Sequence, residues 1–228
     1  MQLELKNINK SYENGTVRQV LDNISLTINI GDALAIIGPS GSGKSTLLNI
    51  MGTLDKPSSG SVIFNGKEIS SFNEPSLANL RNQHIGFVFQ KHYLLPQLNA
   101  LENVLVPVIP QKDKAKYKVA QTRAMELLDK VGLADKSHQS PGQLSVGECQ
   151  RVAVVRALIN EPELILADEP TGSLDHELAL QLGDLLTSLR KDFSMAMVVV
   201  THSLEFALRM DKVYKLENGR LISTPNPN

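Results

Sequence analysis

Gly38-Pro39-Ser40-Gly41-Ser42-Gly43-Lys44-Ser45-Thr46 follows the apolar run Ala33-Leu34-Ala35-Ile36-Ile37 and leads into Leu47-Leu48-Asn49-Ile50-Met51. A short apolar run before a glycine-rich turn reads as a buried parallel strand, and the residues after it continue as a helix. The stretch fits the phosphate-cradling pattern G-x-x-x-x-G-K-[ST], which requires that strand–loop–helix context. Its glycines let successive backbone N–H groups turn inward to form a nest for phosphate oxygens. Lys44 places a point charge between the β- and γ-phosphates of a nucleotide, and the Ser45 hydroxyl can ligate Mg²⁺. A helix beginning near Lys44 adds the positive end of its dipole. A nucleoside triphosphate with its Mg²⁺ is the expected ligand.

Strands are expected at Leu3 to Tyr12, Ile24 to Ile28, Ser61 to Phe64, Ile85 to Phe89, Leu164 to Ala167 and Met195 to Val200. The first two suit an antiparallel layer beside the nucleotide. Helices are expected near Ser76 to Arg81, over Leu101 to Val108, Lys116 to Val131 and Ser145 to Asn160, and over Leu178 to Arg190. A hairpin around Asn218-Gly219 closes the pattern, and the tail Pro225-Asn226-Pro227-Asn228 reads as disordered. The fold class is therefore α/β: a parallel-sheet nucleotide core, an antiparallel β layer and an inserted helical segment from about Lys91 to Asn160.

A net charge of −1 and the absence of tryptophan give no basic or aromatic platform for nucleic acid. The single cysteine, Cys149, excludes an intramolecular disulfide framework. The alternating start Met1 to Lys6 reads as a strand rather than a signal peptide. No apolar run reaches the eighteen or so residues of a spanning helix. Four histidines, His84, His92, His138 and His176, lack ligand spacing and read as surface or packing residues. Lys112 to Lys116 reads as a solvated helix start.

Downstream of the apolar run Leu164 to Ala167 stand Asp168 and Glu169, at the end of a strand where open α/β sheets present groups to ligands. Asp168 can hold Mg²⁺, and Glu169 can polarise an attacking water. Leu144-Ser145-Val146-Gly147-Glu148, followed by Gln150-Arg151, resembles the signature sequence of ABC-transporter ATPases. Ala167-Asp168-Glu169-Pro170-Thr171-Gly172-Ser173-Leu174-Asp175 is similar to that family's Walker B and D-loop block. With Gln90 after one strand and His202 after another, the motifs occur in the family's order over most of the chain.

The resemblance implies a P-loop NTPase (RecA-like) fold in a single ABC ATPase domain. Its core is expected at 1–90 and 161–228 and its helical subdomain at 91–160. It further implies that Tyr12 stacks on adenine, that Gln90 touches Mg²⁺ and couples to a membrane partner, and that His202 contacts the γ-phosphate. Ser145, Gly147 and Glu148 would face the ATP of a second subunit, with Asp175 across the dimer interface. Binding would close this homodimer and hydrolysis would open it. Val146 departs from the usual glycine. If it lies against phosphate it weakens closure, and if it faces the helical core little changes; an active ATPase is expected.

Gly86-Phe87-Val88-Phe89-Gln90, Leu94-Leu95-Pro96 and Ala100-Leu101-Glu102-Asn103-Val104 resemble the lipoprotein-releasing (LolD-like) and macrolide-export (MacB-like) subgroup. This implies a separate integral membrane permease, an exporting direction and a peripheral position on the cytoplasmic face of the bacterial inner membrane. Leu94 to Val108 is the expected permease-contacting surface. An FtsE-like regulator of cell division, moving no cargo, is the alternative.

Overall fold

The computed structural model describes residues 2–14, 16–111 and 113–224. The tail from Pro225 and the Lys112 end of the expected helix start lie outside the described residues. In chain order the strands are β1 (Leu3–Asn14), β2 (Thr16–Ile28), β3 (Ala33–Ile37), β4 (Ser59–Phe64), β5 (Lys67–Glu68), β6 (Ile85–Phe89), β7 (Leu164–Asp168), β8 (Ala196–Thr201), β9 (Lys212–Glu217) and β10 (Arg220–Ser223). The α-helices are α1 (Lys44–Met51), α2 (Glu74–His84), α3 (Ala100–Leu105), α4 (Lys114–Lys130), α5 (Val146–Leu158), α6 (His176–Asp192) and α7 (Leu204–Ala207).

Two sheets form. One runs β10-β9-β3-β8-β7-β6, parallel except for β10; the other is the antiparallel β2-β1-β4-β5. The central parallel strands are apolar at nearly every position because both faces are covered. Alternate residues serve different cores. Ala33, Ala35, Ile165, Ala167, Met197 and Val199 pack towards the helical segment and α6. Leu34, Ile36, Leu164, Leu166, Val198 and Val200 pack against α1 and the antiparallel sheet. Helices α3, α4 and α5 all fall between β6 and β7 in the chain.

The structure departs from the sequence expectations locally. β2 starts at Thr16, well before Ile24, and pairs with β1 along most of its length. Register shifts near Ile8 and Lys10, with left-handed Asn7 (φ 50) and Asn23 (φ 51), break the alternation that would have marked one long strand. The helix expected over Leu101 to Val108 stops at Leu105 and continues as a 3₁₀ turn, Val106–Gln111. Pro107 and Pro110 lack the amide donors an α-helix needs there.

The register places the carboxyl ends of four strands in a row. Phe89 pairs with Asp168, Asp168 with Val200, and Thr201 with Ile37. The loops that follow therefore begin side by side and carry Gln90, Glu169, His202 and the glycine-rich stretch. This is where an open parallel sheet presents groups to a ligand.

Candidate nucleotide site

Helix α1 is built differently from its neighbours. Its N-cap is Gly43, left-handed at φ 101, with no side-chain cap and no acid in the first turn. Among the described residues the other six α-helices all have side-chain caps, from Asn73, Asn99, Asp113, Ser145, Asp175 and Ser203. The first-turn N–H groups of α1 are thus left for an acceptor from outside the chain, with the helix dipole behind them. Gly43 cannot easily be replaced, because a Cβ there would sit 2.9 Å from Val20 Cγ1. Gly38 is equally constrained, since its Cβ would meet the Leu216 carbonyl oxygen at 2.4 Å.

Lys44 is nearly buried, and its Nζ donates to the carbonyls of Gly38 (2.8 Å) and Pro39 (3.1 Å). Those two bonds arch the lysine over the loop, and the Ser42 N–H donates to Pro39 O at 3.2 Å. The loop opens into a cleft of about 530 Å³ lined by Tyr12, Arg18, Val20, Gly41, Gly43, Lys44, Ser45 and Thr46. Ser40 lies exposed on the loop's outer turn.

Tyr12 is held at the edge of this cleft. Its hydroxyl donates to Asp55 Oδ2 at 2.8 Å, and Lys10 Nζ sits 4.8 Å from its ring centroid. Lys10 also binds Asp55 Oδ1 at 2.6 Å. Burial pushes the Asp55 carboxyl up, but the Lys10 and Tyr12 donors outweigh it and hold it below the usual value. One face of the tyrosine ring is thereby covered by a cation, which leaves the other for a base to stack on.

Ser45, which lines the cleft, meets Asp168, its hydroxyl donating to Asp168 Oδ1 at 3.1 Å. Burial raises the Asp168 pKa; Ser45 opposes the rise, and the Glu169 carboxylate adds to it. A half-buried carboxylate beside a hydroxyl, with a second acid nearby, is a hard-oxygen donor set in need of positive charge. It fits Mg²⁺, which takes one or two protein oxygens and completes its shell with substrate phosphates and water.

Glu169 adopts a left-handed backbone, φ 46, an unfavourable conformation for a side chain of its size. Its N–H donates to Val200 O at 2.9 Å, and its Oε2 accepts from the His202 N–H at 3.2 Å. His202 Nδ1 lies 2.9 Å from the same oxygen, while its ring is mostly exposed. The imidazole therefore has one nitrogen on the carboxylate and the other free for a second partner.

Gln90 is exposed and makes no hydrogen bond to Ser45 or Asp168 in this arrangement. Its amide lies over Gly172, where a Cβ would come 2.9 Å from Nε2, and its carbonyl accepts from Ser173 Oγ at 3.2 Å. Asp175 caps α6 through Leu178 N at 2.9 Å.

Ser145, Gly147 and Glu148 do not line the cleft. Ser145 caps α5 in a reciprocal box: its hydroxyl accepts from Glu148 N at 3.3 Å and Glu148 Oε2 accepts from Ser145 N at 2.8 Å. The Lys136 ammonium is the main reason the Glu148 pKa is lowered to about 2. Val146 is the first helical residue, 52% exposed and outside the left-handed region, so neither of the two environments weighed for it applies within one chain. Arg18 and Val20 were not foreseen. They reach the cleft because β2 begins early and sets Arg18 opposite Tyr12.

The profile of the ABC transporter family matches residues 21–172, a span containing the phosphate loop, the signature and the Asp168-Glu169 pair. The chain belongs to the ABC transporter family. As an ABC cassette it is an ATP-binding subunit, and ATP hydrolysis coupled to transport is the activity of that family. It is 46% identical over 220 residues to the lipoprotein-releasing system ATP-binding protein LolD of Alcanivorax borkumensis, covering 96% of each chain. It is 44% identical over 227 residues to LolD of Coxiella burnetii, covering 99% of this cassette and 97% of that protein. Its fold is similar to the dimeric post-hydrolysis state of the ATP-binding cassette MJ0796 bound to ADP and Pi. That likeness has a TM-score of 0.88 and 37% identity and covers 99% of both chains. Among the described residues no helix is long and apolar enough to cross a membrane.

Proposed function

We propose that this cassette dimerises on MgATP to drive a separate membrane permease, and that it serves an exporter of the lipoprotein-release or macrolide and antimicrobial-peptide type. The single observation behind the ATP-driven part is the open N-terminus of α1, which among the described residues is the one α-helix without a side-chain cap. The likeness to LolD proteins supports the lipoprotein-release reading over an FtsE-like division regulator. Residues 1–90 and 161–228 form the catalytic core and 91–160 the helical subdomain. The chain sits peripherally on the cytoplasmic face of the inner membrane, held there by its permease.

Adenine stacks on the uncovered face of Tyr12, and the phosphates enter the loop from Gly38 to Thr46. Lys44 moves from its carbonyl partners to the β- and γ-phosphates. Ser45, Asp168 and, after a side-chain rearrangement, Gln90 would hold Mg²⁺, which supplies charge neutralisation at the phosphate oxygens. Glu169 takes a proton from water as its oxygen bonds to the γ-phosphorus, and the bond to the ADP oxygen breaks. His202 aims that carboxylate through Nδ1 and offers its other nitrogen to a γ-phosphate oxygen. Ser145, Gly147 and Glu148 of one subunit, with Asp175 nearby, close over the ATP of the other.

The permease surface is narrower than the stretch Leu94 to Val108. Leu94, Val104, Leu105 and Val108 are core residues, whereas Tyr93 and Leu95 are exposed. Tyr93, in edge contact with Phe89 and bonded through its carbonyl to Arg156, adjoins a groove of about 440 Å³ lined in part by Leu54, Phe87, Phe89, Val106 and Arg156. A charge at Leu95 should uncouple hydrolysis from the permease and spare ATP binding.

The test compares wild-type cassette and Glu169→Gln with the co-purified membrane partner. Wild type should turn over ATP, and the variant should bind ATP and associate without turnover. A Glu169→Gln protein that stays monomeric at saturating MgATP, even with its permease, overturns the proposal.

A further inference from the structure

Gln150, quoted above only as part of the signature match, is fully buried in α5. Its Nε2 donates to two backbone carbonyls, Phe89 O at 2.7 Å and Pro170 O at 3.0 Å. The first belongs to the residue before Gln90 and the second to the residue after Glu169. Two carbonyls at one end of the amide require the nitrogen there, so the orientation follows from chemistry. Its Oε1 is buried with no hydrogen-bond partner among the described residues.

A buried amide that leaves an acceptor unsatisfied is worse packing material than a methionine of similar volume. Its value lies in what the two donated bonds connect. Phe89 pairs with Asp168 as the last rung between β6 and β7, so the bonds from Gln150 bridge the two strands where the ladder ends. Past that point the segments carrying Gln90 and Glu169 are tied to each other through Ser173 Oγ on Gln90 O. At the N-terminus of the same helix stands Ser145.

We propose that Gln150 is a positioning residue for ATP hydrolysis. Resting on the ATPase reading above, it fixes the signature helix to the two segments that aim Gln90 and Glu169. Displacement of α5 when Ser145 engages the partner's nucleotide is thereby delivered to the attacking-water side of its own site. A residue that merely filled the core would lack this link.

The experiment is Gln150→Met in the full chain, assayed with the co-purified permease. Melting temperature should stay level or rise, KM for ATP should change by less than about twofold, and kcat should fall by about tenfold or more. An unchanged kcat overturns the inference, as does a joint loss of stability, KM and kcat, which marks a purely structural role. If Gln150→Met fails to fold, hydrogen exchange on wild type decides. A non-hydrolysable ATP analogue should change the protection of 146–158, 90–91 and 171–173 together, and independent changes overturn the link. Wild type that turns over no ATP would instead sink the ATPase reading, whereas active wild type with an equally active Gln150→Met sinks only this inference.

Discussion

The phosphate loop and the signature segment both precede a helix, yet they end their helices in opposite ways. At α1 the cap is a glycine and the first-turn N–H groups are unclaimed; at α5 Ser145 and Glu148 satisfy each other. The first region is incomplete without a ligand and tolerates almost no side chain at Gly38 or Gly43. The second is complete as it stands, its Val146 turned outward. A site that must hold phosphate inside one chain is constrained by backbone geometry. A segment proposed to act on a partner's ligand needs only a stable helix start and an accessible surface.

The largest expected effect tests this division directly. Lys44→Ala should weaken MgATP binding about 100-fold or more in a hydrolysis-dead background, since a charge-assisted contact to phosphate is lost. Ser145→Ala should leave monomer affinity within about threefold and abolish ATP-induced association. Calorimetry and sedimentation would separate the two, and equal losses of monomer affinity would break the comparison.

Next comes backbone tolerance. Gly43→Ala forces a side chain into a φ 101 conformation against Val20 and should destabilise the fold by about 1–3 kcal/mol. Val146→Gly should cost no more than about 1 kcal/mol, the ordinary glycine penalty in a helix. Urea unfolding of both variants measures the difference.

The Lys136–Glu148 pair, with the capping box behind it, makes a smaller, pH-dependent contribution. The Glu148 pKa is depressed from 4.5 to about 2, so its stabilisation is present above the ordinary value and is lost as pH falls from 4.5 towards 2. Glu148→Gln should remove about 1–2 kcal/mol at neutral pH, allowing for solvent around Lys136, and should flatten the acid limb of the stability profile. The weakest effect has the opposite sign. Asp168 is raised, chiefly by burial, so its charge opposes folding at neutral pH and that opposition fades as pH falls through its folded value. Asp168→Asn should therefore raise the melting temperature of the ligand-free protein by a few degrees at most while removing Mg²⁺-dependent turnover.

The elements that could be read in advance carry their cause within a few residues. Ala33 to Ile37, the glycine loop and the run into Asp168-Glu169 declare themselves because a buried strand must be apolar and a tight loop must be glycine-rich. β2 stayed half hidden because bulges at Asn7 and Asn23 interrupt its alternation with β1, and Arg18 was lost with it. Leu94, Ala100, Val104, Leu105 and Val108, all within the stretch offered as a permease surface, are core residues, since a hydrophobic side chain does not announce which neighbour will cover it.

The amino-acid sequence alone determined the strand–loop–helix that receives phosphate and the acids that face it, because glycine φ angles and strand burial are local demands. Tertiary structure decided that Tyr12 is backed by Lys10 and Asp55, that Glu169 is aimed by His202, and that Gln150 bridges Phe89 and Pro170. Those are hydrogen bonds between segments far apart in the chain, and only packing brings their donors within reach of their acceptors.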